Sequence, residues 1–215
     1  LTKVNESLVI TLFLYYVLPR SFTTFCFQYL CNKVNYVVRK SLENAVQMEY
    51  KVLTDDMTGA YNKNRLIELL HNRERDGQDI AVIYWDVNQL KYVNANWGHL
   101  CGDRLITEVA KTIQSIAREE DIVIRYGGDE FLLYVANGTK EIAEQLIEAW
   151  KVRLEEEKKR ENYEFPVSAS VGYALGKHSQ LKDIIVAADK DMYANKRIRR
   201  ESANQRDSKK GVNES

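Results

Sequence analysis

The chain carries no excess charge of either sign. Its 31 Lys and Arg balance 31 Asp and Glu across 215 residues. A general nucleic-acid binder is normally basic overall, so no nucleic-acid polymer is expected as a partner, while a local basic site stays open. Cysteine is scarce. Cys26, Cys31 and Cys101 are odd in number and lack metal-ligand spacing, which argues against a disulfide framework and a zinc site. A reduced, cytoplasmic compartment fits the main domain. His71, His99 and His178 form no cluster of the kind transition-metal sites use.

Long apolar runs are also missing. Residues 8–18 (LVITLFLYYVL) and 22–31 (FTTFCFQYLC) are each shorter than the roughly 20 apolar residues of a bilayer span. Joined across Pro19 and Arg20 they are long enough, but the arginine falls near the middle, where it is costly. No small-residue cleavage site follows, so a signal peptide fits poorly. Two readings of 1–33 stand: a buried or dimer-forming helical pair, or the remnant of a membrane anchor. Lys33, Arg39 and Lys40 follow, which on the second reading places the downstream side in the cytoplasm, tethered to the inner face of a cell membrane. The chain begins with Leu1 rather than methionine, which leaves room for a sensor upstream.

Residues 34–53 predict one helix. Val38, Leu42, Ala45 and Val52 keep a 4-3-7 spacing, interrupted by Glu49 in the seam. A parallel coiled coil between two copies and a helix packed on its own domain both fit.

From 54 to 200 the pattern becomes that of a compact domain. IAVIYW (80–85), IVIRY (122–126), FLLYV (131–135) and VSASVGY (167–173) predict strands, the middle two joined around Gly-Gly as a hairpin. Residues 103–117, 141–159 and 181–198 predict amphipathic helices. The order is β-α-β-β-α-β. The expected class is α+β, a ferredoxin-like antiparallel sheet with helices on one face, preceded by an N-terminal helical segment. The tail 201–215 is polar and is expected to fray.

RYGGDEF (125–131) sets two carboxylates side by side at the hairpin tip. Asp86 ends the first apolar strand, a neighbour of the hairpin in this fold. Asp86 and Asp129 can converge there. Unpaired they repel; around magnesium, which takes one or two carboxylates plus substrate phosphates, they become ligands. Gly127 and Gly128 allow a tight turn and close approach of a ligand. A helix follows from about Asn88, and its first N–H groups offer a phosphate site with Lys91 nearby. An ordinary helix capped by Asn88 fits as well.

These residues resemble the GGDEF-domain diguanylate cyclases. DDMTGAYNK (55–63), DVNQLKYVN (86–94), GHLCGD (98–103), RYGGDEF (125–131), SVG (170–172) and AADKDMYANK (187–196) occur in the family's order. The resemblance implies that Asp86 and Asp129 bind two magnesium ions (manganese being a substitute), helped by the Val87 carbonyl and by Glu130. Asp129 or Glu130 takes the proton of the attacking hydroxyl. Asn94 and Asp103 hydrogen-bond guanine. Gln89, Leu90 and Lys91 offer backbone N–H groups to the phosphates, Lys196 and Arg200 neutralise them, and Gly127 and Gly128 border the nucleotide. The implied reaction joins two GTP molecules into cyclic di-GMP across a homodimer. Arg118 and Asp121 match the family's RxxD product-inhibition motif; a solvated helix end is the bland alternative.

Four positions depart from the commonest family pattern: Lys63, Asn88, Ala95 and Arg199. Arg199 stands where a glycine is usual. If that glycine ends the helix, Arg199 extends it and turns Arg200 elsewhere. The rival to an active cyclase is a catalytically silent module that binds GTP or cyclic di-GMP as a sensor. A third reading, a membrane-tethered relay, finds no chemistry in residues 1–50.

Overall fold

The computed structural model describes residues 8–11 and 13–212. The chain divides into two compact units, Leu1–Tyr50 and Lys51–Ser215.

In the first unit a π-helical turn, Phe13–Val17, precedes helix α1, Leu18–Leu53. The expected helical pair divided at Pro19 is therefore one helix from Leu18 onward. Pro19 lies in its first turn, where a missing N–H leaves no hydrogen bond unmade. The large apolar side chains of α1 stay exposed: Phe25 and Phe27 at 70%, Leu42 at 66% and Val38 at 58%. They are thus not buried within the chain. The side chain of Glu49, expected in the seam, lies outside the described residues. Among the described residues no helix is long and apolar enough to cross a membrane.

The second unit is built on four strands, β1 (Asp79–Val87), β2 (Ile122–Arg125), β3 (Glu130–Ala136) and β4 (Ala169–Lys177). They form an antiparallel sheet in the order β2-β3-β1-β4. Helices α2 (Lys63–His71), α3 (Leu90–Trp97), α4 (His99–Ile116), α5 (Lys140–Glu161) and α6 (Leu181–Val212) complete it.

The sheet is covered on both faces, not one. Side chains alternate along a strand, so β1 feeds two cores. Ile80, Val82 and Tyr84 pack with Leu66 and Leu69 of α2 and Ile184 and Met192 of α6. Ala81, Ile83 and Trp85 pack with Leu105, Val109 and Ile113 of α4 and Trp150 of α5. Two-sided burial explains why 80–85 reads as an unbroken apolar run rather than an alternating one. Helix α2, which the sequence reading did not separate from its surroundings, supplies part of the second layer.

Helix α6 also covers the free edge of β4. The Tyr173 N–H donates to Asp191 Oδ2 at 3.0 Å, and Asn195 Nδ2 donates to the Val171 carbonyl at 3.1 Å. Side chains thus take up edge groups that otherwise invite another strand. Gly172 permits this approach, because a Cβ there would run into the backbone of Met192. Helix α6 continues past residue 198 to Val212, so residues 201–212 of the expected frayed tail are helical. His178 is buried and hydrogen-bonded at both ring nitrogens, to Tyr134 Oη at 3.0 Å and the Leu69 carbonyl at 2.9 Å.

Candidate active site

The two central strands carry the acids. Asp86 on β1 lies directly across from Glu130 on β3. Like charges in that relation destabilise a sheet unless each finds a partner. Each does. Lys196 Nζ of α6 lies 2.5 Å from Asp86 Oδ1, with both side chains about four-fifths buried (18% and 21% exposed). The Tyr84 hydroxyl, two residues before Asp86, donates to Glu130 Oε1 at 2.9 Å. Burial, reinforced by that carboxylate, pushes the Tyr84 phenol well above its ordinary range. The Val87 N–H donates to the Asp129 carbonyl at 2.9 Å, which fixes the hairpin turn against the exit of β1. Asp86 and Glu130 therefore stand at one end of the sheet on adjacent strands, with Asp129 in the turn beside them.

Arg125 braces the turn from inside. Its Nη2 donates to the Gly128 carbonyl at 2.7 Å, and its Nη1 reaches both oxygens of Asp55 at 3.0 and 3.1 Å. Asp55 also accepts from the Thr58 N–H at 2.9 Å and the Thr58 hydroxyl at 2.7 Å. Burial alone raises the Asp55 pKa, but the hydrogen bonds from Thr58 and Arg125 outweigh it and hold the carboxyl below its ordinary 3.8. Folding thus favours ionised Asp55. Its contribution is complete above the unfolded pKa and is lost as pH falls through the lower folded value. The stability gap between the native chain and Asp55→Asn is expected to shrink below about pH 4, as read from denaturant unfolding at stepped pH. A gap constant through the acid range would refute this.

The glycines of the turn do different things. Neither has positive φ, so the turn does not demand glycine on conformational grounds. At Gly127 a Cβ would meet the carboxylate of Glu130; above Gly128 there is open space. Gly127 makes room for a neighbouring acid, and Gly128 leaves the surface of the turn bare.

Helix α3 begins one residue beyond Gln89. Asn88 does not cap it. Asn88 is turned to the sheet, its N–H donating to the Ser168 carbonyl at 2.9 Å and its Oδ1 accepting from the Ser170 hydroxyl at 2.9 Å. Gln89 is the N-cap residue, in the left-handed region at φ 61°, and no side chain caps the helix. A non-glycine residue held there is strained, a feature that clusters at ligand sites. The helix start therefore keeps its N–H groups for another acceptor. Lys91 is exposed in its first turn.

Asn94, on α3, and Asp103, on the first turns of α4, flank the junction at Gly98. Asn94 Oδ1 is buried without a hydrogen-bond partner. A Cβ on Gly102 would overlap it, so that glycine gives the amide its space. Asp103 is exposed. The side chain of Arg200 lies outside the described residues, though its backbone continues α6.

The expected inhibitory pair is placed apart from the turn. Arg118 grips Asp121 in a fork, Nε to Oδ2 at 2.9 Å and Nη2 to Oδ1 at 2.8 Å. The same guanidinium donates to the Ala136 carbonyl at 2.8 Å. The Asp121 side chain is fully buried and Arg118 is one-third exposed. This clasp, not a solvated helix end, is what the bland alternative becomes. The hydrogen bond to Asp121 raises the Arg118 pKa further. Ala136 ends β3, so the clasp lies about 20 Å along the strand from Glu130.

Among the described residues no three His, Cys, Asp or Glu side chains gather into a metal-sized group. The donors at the turn are hard oxygens, and magnesium is commonly held by one or two carboxylates with substrate phosphates completing its shell. Asp86, Asp129 and the Val87 carbonyl suit that mode.

Known proteins share the sequence pattern and fold of this chain. The family model described as "Diguanylate cyclase, GGDEF domain" matches residues 52–202. A probable diguanylate cyclase, DgcJ of Escherichia coli (strain K12), is 33% identical over 167 residues, covering 72% of this chain and 33% of that protein. A cyclic di-GMP phosphodiesterase, PdeR of the same organism, is 32% identical over 160 residues, covering 72% of this chain and 24% of that one. The chain thus spans a third or less of these relatives' length. Among solved structures, the GGDEF domain of DgcB from Caulobacter crescentus, in complex with c-di-GMP, aligns with a TM-score of 0.60 at 27% identity, covering 67% of this chain and 90% of that one.

Proposed function

This chain belongs to the GGDEF family of diguanylate cyclases, and from that membership we propose that it condenses two GTP molecules into cyclic di-GMP and two pyrophosphates. The observation that carries the reading is the sheet register. It sets Asp86 opposite Glu130 and ties Asp129 to the exit of β1.

Asp86 and Asp129, with the Val87 carbonyl and help from Glu130, would hold divalent magnesium. When bound, the metal neutralises charge on the phosphates and makes the attacking hydroxyl more acidic. The open start of α3, at Gln89, Leu90 and Lys91, offers N–H groups to the triphosphate. Lys196 and Arg200 add positive charge. Asn94 and Asp103 read the guanine edge. A buried amide oxygen left without a donor is costly, so a base that supplies one is selected over a base that cannot.

Each 3′-hydroxyl attacks the α-phosphorus of the other GTP. A P–O bond forms, the α–β bond breaks, and pyrophosphate leaves. The hydroxyl proton goes to Asp129 or Glu130. Positioning supplies most of the acceleration, as in other phosphoryl transfers. One chain holds half of the site, so turnover requires a homodimer, and the exposed apolar side chains of α1 are the surface that supports it. Arg118 and Asp121 form the inhibitory product site, whose clasp opens its donors to a phosphate or guanine edge. The N-terminal unit is the candidate for any tether to the inner membrane face.

One observation favours the silent binding module: Lys196 already holds Asp86. Product analysis separates the readings. The whole chain, given GTP and magnesium, is expected to yield cyclic di-GMP, with no mixed product when ATP is added. The rate per chain is expected to rise with protein concentration. A blank chromatogram indistinguishable from that of Asp129→Ala would replace the cyclase with the sensor.

A further inference from the structure

Helix α6 carries Lys196, but the core stops supporting the helix before that residue. Met192 is its last buried side chain among the described residues. Beyond Met192, side chains tie the helix to the sheet. Asn195 Nδ2 donates to the Val171 carbonyl of β4 at 3.1 Å, and Lys196 pairs with Asp86 of β1. The amide of Asn195 is also held at 3.4 Å from Asp191 Oδ2, the oxygen that accepts the Tyr173 N–H at 3.0 Å. Asp191 and Asn195 are four residues apart and share one face of the helix. That face sits on the outer edge of β4, where the Val171 carbonyl and the Tyr173 N–H would otherwise serve a fifth strand. Successive helical residues lie about 100° apart around the axis, so seating Asn195 on β4 turns Lys196 toward the end of β1.

We propose that Asn195, anchored by Asp191, is a positioning residue: its grip on the edge of β4 fixes the turn of α6 that presents Lys196 to the phosphates of the nucleotide. The inference rests on the cyclase reading and adds to it the device that aims its cation. In that reading Asp86 turns to the metal and Lys196 to the phosphates, so the helix loses its tie through Lys196 while the nucleotide binds. The tie through Asn195 engages no group of the nucleotide site and persists through the exchange. Gly172 sets how closely α6 approaches β4, since a Cβ there would overlap the backbone of Met192. Asn195 sets which way the helix faces one turn later. Without its amide the helix beyond Met192 is free to lift from β4, and ordering the lysine on the phosphates then carries an added entropic cost.

The test measures binding rather than turnover, on the full chain with magnesium. Titration calorimetry compares the non-reacting α,β-methylene analogue of GTP with guanosine, which has the base and no phosphate. Asn195→Ala keeps a good helix former and removes only the amide. Asn195 is exposed, so the fold should tolerate the change. The variant is expected to bind the analogue about fivefold more weakly and guanosine within about twofold of the unaltered chain. Asp191→Ala is expected to do the same, because it removes the anchor. Lys196→Met keeps the stem, loses the charge and should weaken the analogue by more. The double variant Asn195→Ala, Lys196→Met should then lose no more than Lys196→Met alone, the mark of one residue acting through the other. Equal losses for the analogue and guanosine would make Asn195 a general brace of the fold and overturn the proposal, as would a double variant whose loss is the product of the single ones. If the unaltered chain does not bind the analogue, the cyclase reading falls and the proposal with it. If it binds both probes and Asn195→Ala changes neither, only the role of Asn195 falls. Asp191→Ala carries the same comparisons should Asn195→Ala fail to fold.

Discussion

Asp86→Asn is expected to lower kcat for cyclic di-GMP formation about a thousandfold, roughly 4 kcal/mol of lost transition-state stabilisation. The substitution keeps the shape of the side chain and removes the charge on which a divalent cation and Lys196 both depend. The fold should persist, because the amide keeps the shape of the side chain, with some stability lost along with the ion pair to Lys196. The diagnostic feature is the split between kcat and KM. Lys196 Nζ, now 2.5 Å from Asp86 Oδ1, loses its counter-charge and becomes free to meet the triphosphate. KM for GTP should therefore hold steady or fall while kcat collapses. Steady-state kinetics with saturating magnesium measure both. Activity within tenfold of wild type would remove Asp86 from the catalytic apparatus.

The second large effect is structural in origin and catalytic in consequence. Arg125→Ala is expected to cost about 3 kcal/mol of stability, the scale for breaking one side of a largely buried ion pair. Arg125 is 13% exposed and Asp55 23%. Removing the guanidinium leaves Asp55 with Thr58 alone and strips the Gly128 carbonyl of its donor. For a chain of this size the loss corresponds to a fall in melting temperature of roughly 9 °C. Activity should fall with it, since the turn that presents Asp129 is no longer braced. Arg125→Lys separates the two roles. It restores charge beside Asp55 but cannot span both Asp55 and Gly128, so stability should recover more than activity. Thermal unfolding followed by circular dichroism, paired with turnover, decides it. An unchanged melting temperature for Arg125→Ala would show that the fork contributes nothing.

Both effects arise from residues that a linear reading treats unequally. Asp86, Asp129 and Glu130 were legible because a carboxylate ending an apolar strand and two more in a glycine turn are odd locally. Arg125 and Asp55 each lay inside a quoted motif, yet their pairing spans 70 residues and only folding brings them together. Tyr84 carried no signal: in an apolar run a tyrosine reads as core, and its hydroxyl acquires meaning only when β3 is laid alongside. Asn88 misled for the reverse reason. Asparagine before a helix is the usual capping residue, but Ser170 on β4 competes for its side chain, and a hydrogen bond across the sheet took it.

The sequence by itself determined the order of strands and helices, the hairpin, and the identity of the acids, because each depends on periodicity or on residues a few places apart. It could not decide which face each helix covers, since an uninterrupted apolar strand says that both sides are buried and not by what. Nor could it decide the partner of each charge. That is set where β1, β3 and α6 meet, and there the tertiary structure assigns Lys196 to Asp86 and Tyr84 to Glu130 because like charges on adjacent strands must each be answered by the nearest donor.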